Sequence, residues 1–459
     1  MKISLALCAL LLVGCGGGAR QERAPSSPDD RPNVLLVTLD TTRADRFSSY
    51  GYERRTTPNF DSLAADGALF EMAIGASGCT PPAHASILTG LYPYHHGVRV
   101  IFAGSGYRLN PVLPSVATLL GEAGWETGAF LSSFTVSEYF GFENGFSTWD
   151  NGMTQSAEAV PQIQEEHMSW DVEHNQRRSD RTARVAAEWI RGRKKPFFCW
   201  VHFWDPHDEK VLPPDLWLDA FGQPDAENIK QRIYDAELAF TDDSFGHLVE
   251  TLKESGQYEN TVIVVVADHG QGLGDHEWML HRLLYQEQIR LPLILKGPGV
   301  DPGRRVPDLV RSVDILPTLV ELLNLEFDTS KLDGKSLGGL MRGESEPARW
   351  AYAEQLNAWD HNSFVTQSRP LDSLLYSVIE SDWKLIYRDS GPDQSLLFRL
   401  SSDPGELENL FGSPEGAEAL QELDARLQGD TMFRREPFEG ETDAEVEERL
   451  KSLGYVGGR

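Results

Sequence analysis

The sequence predicts an α/β fold: a mostly parallel central sheet flanked by helices, with a smaller C-terminal α+β subdomain. Three observations predict it. Near-continuous apolar runs such as "NVLLVTLD" (33–40) and "TVIVVVADHG" (261–270) read as strands buried on both faces. Helical patterns such as "LPSVATLLGEAG" (113–124) and "AELAFTDDSFGHLVETLKESG" (236–256) lie between such runs, and strands alternating with helices argue for a parallel sheet. After about residue 345 the pattern changes to short strands and a polar tail.

The elements follow in chain order. Residues 1–15, "MKISLALCALLLVGC", place one Lys before a short apolar run, the pattern of a secretory leader. The run is too short to span a bilayer comfortably. Its ending, Leu12-Val13-Gly14-Cys15, resembles a bacterial lipobox. That resemblance implies cleavage before Cys15, lipidation of Cys15, and a lipid-anchored, periplasmic place in a bacterial cell envelope; an ordinary secretory signal is the other reading. Residues 16–31 read as a flexible tether. Residues 32–345 hold the main α/β domain, with further strands expected at "TGAFLSS" (127–133), "PFFCWVHFWDPH" (196–207) and "LPLILKG" (291–297). Residues 346–459 hold the subdomain. There "DWKLIYRD" and "QSLLFRLSSDPGELENLF" read as two strands of a small antiparallel sheet, and "TDAEVEERLKSLGYVGG" as an acidic terminal helix. No chemistry is assigned to that part.

The 459 residues carry a formal net charge of −28 and are 40% hydrophobic. The composition is that of a globular protein. So acidic a chain is a poor nucleic-acid binder, because counterion release needs Lys/Arg clusters. An anionic substrate has to be drawn in locally, by a metal or a few basic groups. With Cys8 in the leader and Cys15 at the lipobox, Cys79 and Cys199 remain. One disulfide is possible by count. Cys199, inside "PFFCWVHFW", reads rather as a buried inert thiol.

The ends of the apolar runs carry the chemistry. They end at Asp40, at Asp205 and His207, and at Asp268-His269. Ligands of open α/β sheets bind beyond the carboxyl ends of strands. One such Asp is commonly a helix cap. Several acids and histidines delivered to one edge point to a metal site. The stretch "GASGCTPPAHASILTGLYPYHHGV" (75–98) adds a nucleophile. Its prolines suit a helix's first turn, which sets Thr80 at or just before a helix N-terminus. Free N–H groups there favour an anion. A hydroxyl so placed on a divalent metal can attack as an alkoxide.

Several stretches together resemble the sulfatases and their relatives in the alkaline phosphatase superfamily. They are "NVLLVTLDTTRADRFSSYGY", "HASILTGLYPYHHGV", "VVADHGQGLGDH", "LYQEQIRLPLILKGPG", "DILPTLVELL", "DPGELENLF" and the terminal "LKSLGYVGG". The likeness runs in family order from residue 32 onward. Sulfatases carry Cys or Ser, any residue, Pro, any residue, Arg, then Ala-x-x-x-Thr-Gly, and the Cys or Ser is oxidised to formylglycine. Counting back from Ala85 and Thr89-Gly90, His84 takes the Arg position, Pro82 the Pro position and Thr80 the nucleophile position. A Thr-x-Pro-x-His version occurs in phosphoryl-transferring relatives with unmodified Thr. Formylglycine is not expected, because oxidising Thr would leave a ketone. A competing register starts at Cys79 in "CTPPA"; it puts Ala83 where Arg is expected and needs a one-residue insertion.

The resemblance maps metal ligands onto Asp40, Asp268 and His269, with the Thr80 oxygen completing the shell. Two carboxylates, an imidazole and an alkoxide suit one Zn²⁺ or Mn²⁺ better than Mg²⁺ or Ca²⁺. Calcium-type sulfatases usually carry Asp-Asp and Asp-Asn where this chain has Asp40-Thr41 and Asp268-His269. His281 lies where many relatives carry a substrate-binding Lys, and His207 matches a histidine near the leaving group. Both are candidates for general acid work. His276 is a further substrate-binding candidate. Arg43 with Asp45 reads as an ion pair, His202 as a packed strand residue, and His95 and His96 as loop structure. Ser132 and Ser133 stand where sulfatases carry a Lys/His pair. The resemblance thus implies a metal-dependent hydrolase of sulfuric or phosphoric esters, acting on a small-molecule or glycan anion. The alternatives are an envelope phospho-group transferase, whose known examples usually carry several transmembrane helices, and a non-catalytic binding protein.

Overall fold

The computed structural model describes residues 30–152, 176–207, 212–221, 229–360 and 363–429. The leader with Cys15, nearly all of the tether and the expected terminal acidic helix lie outside these residues.

The core is a sheet built around β1 (Asn33–Leu39). The other strands are β2 (Ala68–Ile74), β3 (Glu126–Phe130), β4 (Thr148–Asp150), β5 (Phe197–Phe203), β6 (Thr261–Ala267), β7 (Arg290–Leu291), β8 (Leu293–Lys296) and β9 (Arg304–Arg311). Their order is β4-β3-β5-β1-β6-β8-β2-β7, with β9 also on β2. β1, β5 and β6 are buried at every position. Helices cover both faces of such strands, so their sequences carry no polar alternation. The register sets Leu39 beside Phe203 and beside Ala267. Asp40, Trp204 and Asp268 therefore step off three adjacent parallel strands at one level.

The run 291–297 differs from a parallel strand. It forms β8, which pairs antiparallel with both β6 and β2. No helical crossover separates β6 from β8, and an antiparallel pair needs none. The intervening loop is free to carry site residues instead.

The subdomain sheet has four antiparallel strands rather than two: β10 (Trp350–Gln355), β11 (Leu375–Glu380), β12 (Trp383–Arg388) and β13 (Leu396–Arg399), in that order. The helix Ala417–Gln428 packs on β11 and β12. The two sheets meet where Glu354 N–H donates to Ala76 O at 3.0 Å. That contact fixes β10 beside the segment leading to Thr80. Cys79 and Cys199 are both free and buried, so the arithmetically possible disulfide is not formed.

Candidate active site

The segment after β2 turns at Gly78 and enters α2 (Thr80–Thr89). A Cβ on Gly78 would sit 2.7 Å from Leu283 O, so only glycine lets the chain pass there. Gly90 ends the helix in the left-handed region at φ 68°. Thr80 is the first helical residue and Cys79 its N-cap. Pro81 and Pro82 lack N–H groups, and Ala83 N–H already donates to Cys79 O at 3.1 Å. This helix end is therefore a poorer anion site than a helix start normally provides. Any anion here has to be held mainly by side chains or a cation.

Asp40, Asp268 and His269 bring one ligand atom each to within 4.8 Å of one another, all buried. His269 Nδ1–H donates to Gly270 O at 3.0 Å, which leaves the Nε2 lone pair facing Thr80 Oγ1 at 3.2 Å. Asp268 Oδ1 accepts from Thr41 N at 3.1 Å and from His269 N at 2.6 Å. Its Oδ2 lies 3.4 Å from His269 Nε2 and 3.5 Å from His84 Nδ1. Neither oxygen of Asp40 makes a formed hydrogen bond among the described residues, nor does Asp268 Oδ2.

Burial drives the pKa of Asp40 well above the carboxylate range, against the pull of the Thr80 hydroxyl and the Thr41 N–H. Burial and the charge of Asp40 do the same to Asp268. Two such carboxylates side by side are unstable as bare anions. A divalent cation neutralises both, and the donor set of two carboxylates and a free imidazole lone pair fits one.

The turn that carries Asp40 is strained. Thr41 has φ 47°, a region costly for a β-branched residue. Tyr234, on the long helix Ile229–Glu254, holds it: its hydroxyl donates to Thr41 O at 2.8 Å and accepts from Arg43 N at 2.9 Å. Arg43 grips Asp45 through two bonds of 2.8 and 2.6 Å and also pairs with Asp275 at 2.7 Å. It is the structural ion pair the sequence suggests, and it pins the loop after His269.

The other histidines divide. His84 Nδ1–H donates to Thr80 O at 2.9 Å, and its Nε2 has no partner among the described residues. His281 stacks on His269 with ring centres 4.7 Å apart and lies 3.3 Å from Gln271 Oε1. His207 stacks on Trp204 at 3.8 Å and faces His281 at 5.2 Å. Contacts link Thr80, His269, His281 and half-buried His207 in a chain, and His84 approaches it through Asp268. Burial, then neighbouring imidazoles, push His84, His207 and His281 well below 6.5, and burial takes His269 to about 3. All four are neutral at pH 7.

His276 is placed elsewhere. Its Nδ1 pairs with Glu287 at 3.1 Å, its Nε2 with Glu406 O at 3.2 Å, and its ring lies on Tyr285 at 3.7 Å. The Nε2 bond joins the main domain to the subdomain, and the Nδ1 bond stays within the main domain. Asp205 is a cap, its Oδ2 accepting from Ser179 N at 2.8 Å. Ser132 bonds Thr182 at 2.6 Å, and Ser133 caps Thr135. Cys79 packs into the apolar core, and burial raises its thiol pKa far above 9.0.

Two residues escape a reading of the sequence. His202 is the penultimate residue of β5, wholly buried, with Nε2 3.4 Å from Asp40 Oδ2. The pairing Thr38↔His202 shows that it shares a sheet face with Asp40, a signal available only once the register is known. Arg282 is buried, has φ 78°, and pairs with Asp360 of the subdomain. Its charge is felt by His207, His269, His281 and Cys79. Nothing in the local sequence marks its partner, 78 residues away.

Residues 32–325 match the sulfatase family model, and residues 274–432 match a model described as N-sulphoglucosamine sulphohydrolase, C-terminal. An N-acetylglucosamine-6-O-sulfatase of Bacteroides thetaiotaomicron is 24% identical, over 91% of this chain and 88% of that protein. A multifunctional alkaline phosphatase superfamily protein of Trinickia caryophylli is 26% identical, over 85% of this chain and 93% of the other. The crystal structure of a phosphonate monoester hydrolase of Agrobacterium radiobacter shares the fold, with a TM-score of 0.69, 23% identity, and coverage of 87% of this chain and 95% of that one. The chain belongs to the sulfatase family and is a sulfatase-like hydrolase of sulfate or phosphate esters.

Proposed function

We propose that unmodified Thr80 is the nucleophile and that phosphoric esters are preferred over sulfuric ones. The observation that carries this is the 3.2 Å approach of Thr80 Oγ1 to His269 Nε2 inside the Asp40–Asp268–His269 group, while Cys79 packs into the core. A Thr ester has no second hydroxyl on its carbon with which to expel the bound group. Water has to attack the central atom to release it, a route suited to phosphorus. The phosphonate monoester hydrolase and the multifunctional superfamily protein among the relatives support that direction.

Thr80 Oγ forms a bond to phosphorus as the bond to the leaving oxygen breaks. One of His207 and His281, neutral at rest, takes the proton of the Thr80 hydroxyl and passes it to the leaving oxygen. His84, tied by Nδ1 to Thr80 O, orients the nucleophile's turn. Water then attacks phosphorus, the Thr80 Oγ–P bond breaks, and the hydroxyl is restored. Asp40, Asp268 and His269 would hold a divalent cation, Zn²⁺ or Mn²⁺ in this reading, which would supply Lewis acidity that lowers the hydroxyl pKa and offsets phosphoryl charge.

The substrate in this reading is a small anionic ester or an esterified glycan, a class supported by the N-acetylglucosamine-6-O-sulfatase relative. A lipid at Cys15 would hold the enzyme in a bacterial cell envelope, facing the periplasm; Cys15 lies outside the described residues. Among the described residues no helix is long and apolar enough to cross a membrane. The test compares turnover of bis-nitrophenyl phosphate and nitrophenyl sulfate by the unsubstituted protein, Thr80→Ala and Cys79→Ala. Phosphodiester turnover that vanishes in Thr80→Ala and survives in Cys79→Ala is expected. Sulfate turnover that survives in Thr80→Ala and vanishes in Cys79→Ala would move the nucleophile to Cys79.

A further inference from the structure

His202 is a costly placement for an imidazole. It is wholly buried on the central sheet, and neither ring nitrogen has a hydrogen-bond partner among the described residues. Buried polar groups normally find partners, and one left alone costs about 1–3 kcal/mol. The polar atom its Nε2 faces is Asp40 Oδ2 at 3.4 Å, an oxygen that is itself without a formed bond. A carboxylate only accepts, so a bond between them needs the proton on His202 Nε2. The separation is a few tenths of an ångström beyond a formed N–H···O bond. His84 lies across the ring, edge-on at 5.0 Å, and Trp204 stands on the same strand face.

We propose that His202 is a positioning residue for the metal: its Nε2–H donates to Asp40 Oδ2 and aims the carboxylate at the cation. Metal-binding carboxylates are characteristically held by such outer partners, whose loss costs about 10- to 100-fold in metal affinity. The strand makes the arrangement rigid. His202 sits in the β1–β5 ladder opposite Thr38, and Asp40 N–H donates to Phe203 O at 2.9 Å, so both residues are fixed by the same run of backbone bonds. The inference rests on the metal reading of the site, and metal binding by the unsubstituted protein tests that reading separately.

The experiment measures Zn²⁺ affinity by competition with a chromophoric chelator, and the visible spectrum of the Co²⁺-loaded protein. It uses the unsubstituted chain, His202→Phe and His202→Gln. Phe keeps the ring and removes the donor; Gln loses the ring and keeps an N–H at a similar reach. The proposal expects His202→Phe to weaken Zn²⁺ about 10- to 100-fold and to alter the Co²⁺ bands. It expects His202→Gln to stay within a few-fold of the unsubstituted protein. A packing role predicts the reverse order, because an aromatic ring suits this apolar wall and an amide does not. Equal affinity in all three proteins, the reverse order, or no binding by the unsubstituted protein would overturn the proposal. Thermal unfolding of each metal-free protein shows whether a variant's loss reflects the fold or the ion.

Discussion

Two buried polar regions of this molecule differ in one respect. At the ends of β1 and β6, Asp40, Asp268 Oδ2, His84 Nε2 and both nitrogens of His202 have no formed hydrogen bonds among the described residues. At the junction with the subdomain, opposite charges stand in close pairs: buried Arg99 holds Glu354 at 2.7 and 2.8 Å, the buried Lys384 ammonium stands 2.6 Å from Glu406, and half-buried His276 bonds through both nitrogens. Burial alone therefore does not mark a functional site. Close ion pairs hold two sheets in register, whereas the strand-end acids and imidazoles without formed bonds converge on a candidate metal site.

The contrast can be broken at either end. The largest effect belongs to the nucleophile: Thr80→Ala is expected to lower turnover by on the order of 10³-fold or more. Its folding stability, read by urea unfolding, should change little, and a comparable loss of both would make Thr80 a packing residue. Chelation comes next. Removing a bound ion should abolish turnover and lower the unfolding free energy by about 2.7 kcal/mol relative to protein held at a hundred times the dissociation constant. An unfolding curve indifferent to chelator would mean the acids of this site hold no metal.

At the junction the expectation inverts. Lys384→Met strands Glu406 in the interior and should cost about 3–5 kcal/mol of stability, while turnover per folded molecule persists. The smallest effect is a pH dependence. Burial alone would lower the pKa of His276, but the hydrogen bond and charge of Glu287 outweigh it and raise the group above 6.5. A raised folded pKa stabilises fully below the unfolded value and loses that contribution as pH climbs through the folded one. The stability gap between the unsubstituted protein and His276→Gln should thus be widest below pH 6.5 and shrink above it. A gap that widens with rising pH would contradict the pairing.

Much of this was legible in the sequence because buried parallel strands announce themselves. "NVLLVTLD" and "TVIVVVADHG" name both strands, and their final residues name Asp40, Asp268 and His269. Residues whose role depends on pairing were not legible. His202 reads as one more residue of an apolar run until the register puts it beside Thr38. Arg282 needs Asp360, and Tyr234 needs the strained Thr41. His276 stands in a site-like motif, "GLGDH", yet its Nδ1 is spent on Glu287 and its Nε2 on the junction with the subdomain. β10 and β11, six residues each like β12, were missed because it is their pairing in the sheet that marks them.

The most direct test of the central claim is peptide mass spectrometry of residues 75–98, from protein acid-quenched during turnover of bis-nitrophenyl phosphate. An unmodified thiol at Cys79 and a phosphoryl ester on Thr80 that is absent without substrate are the expected result. Formylglycine at position 79, with Thr80 unmodified throughout, would contradict it.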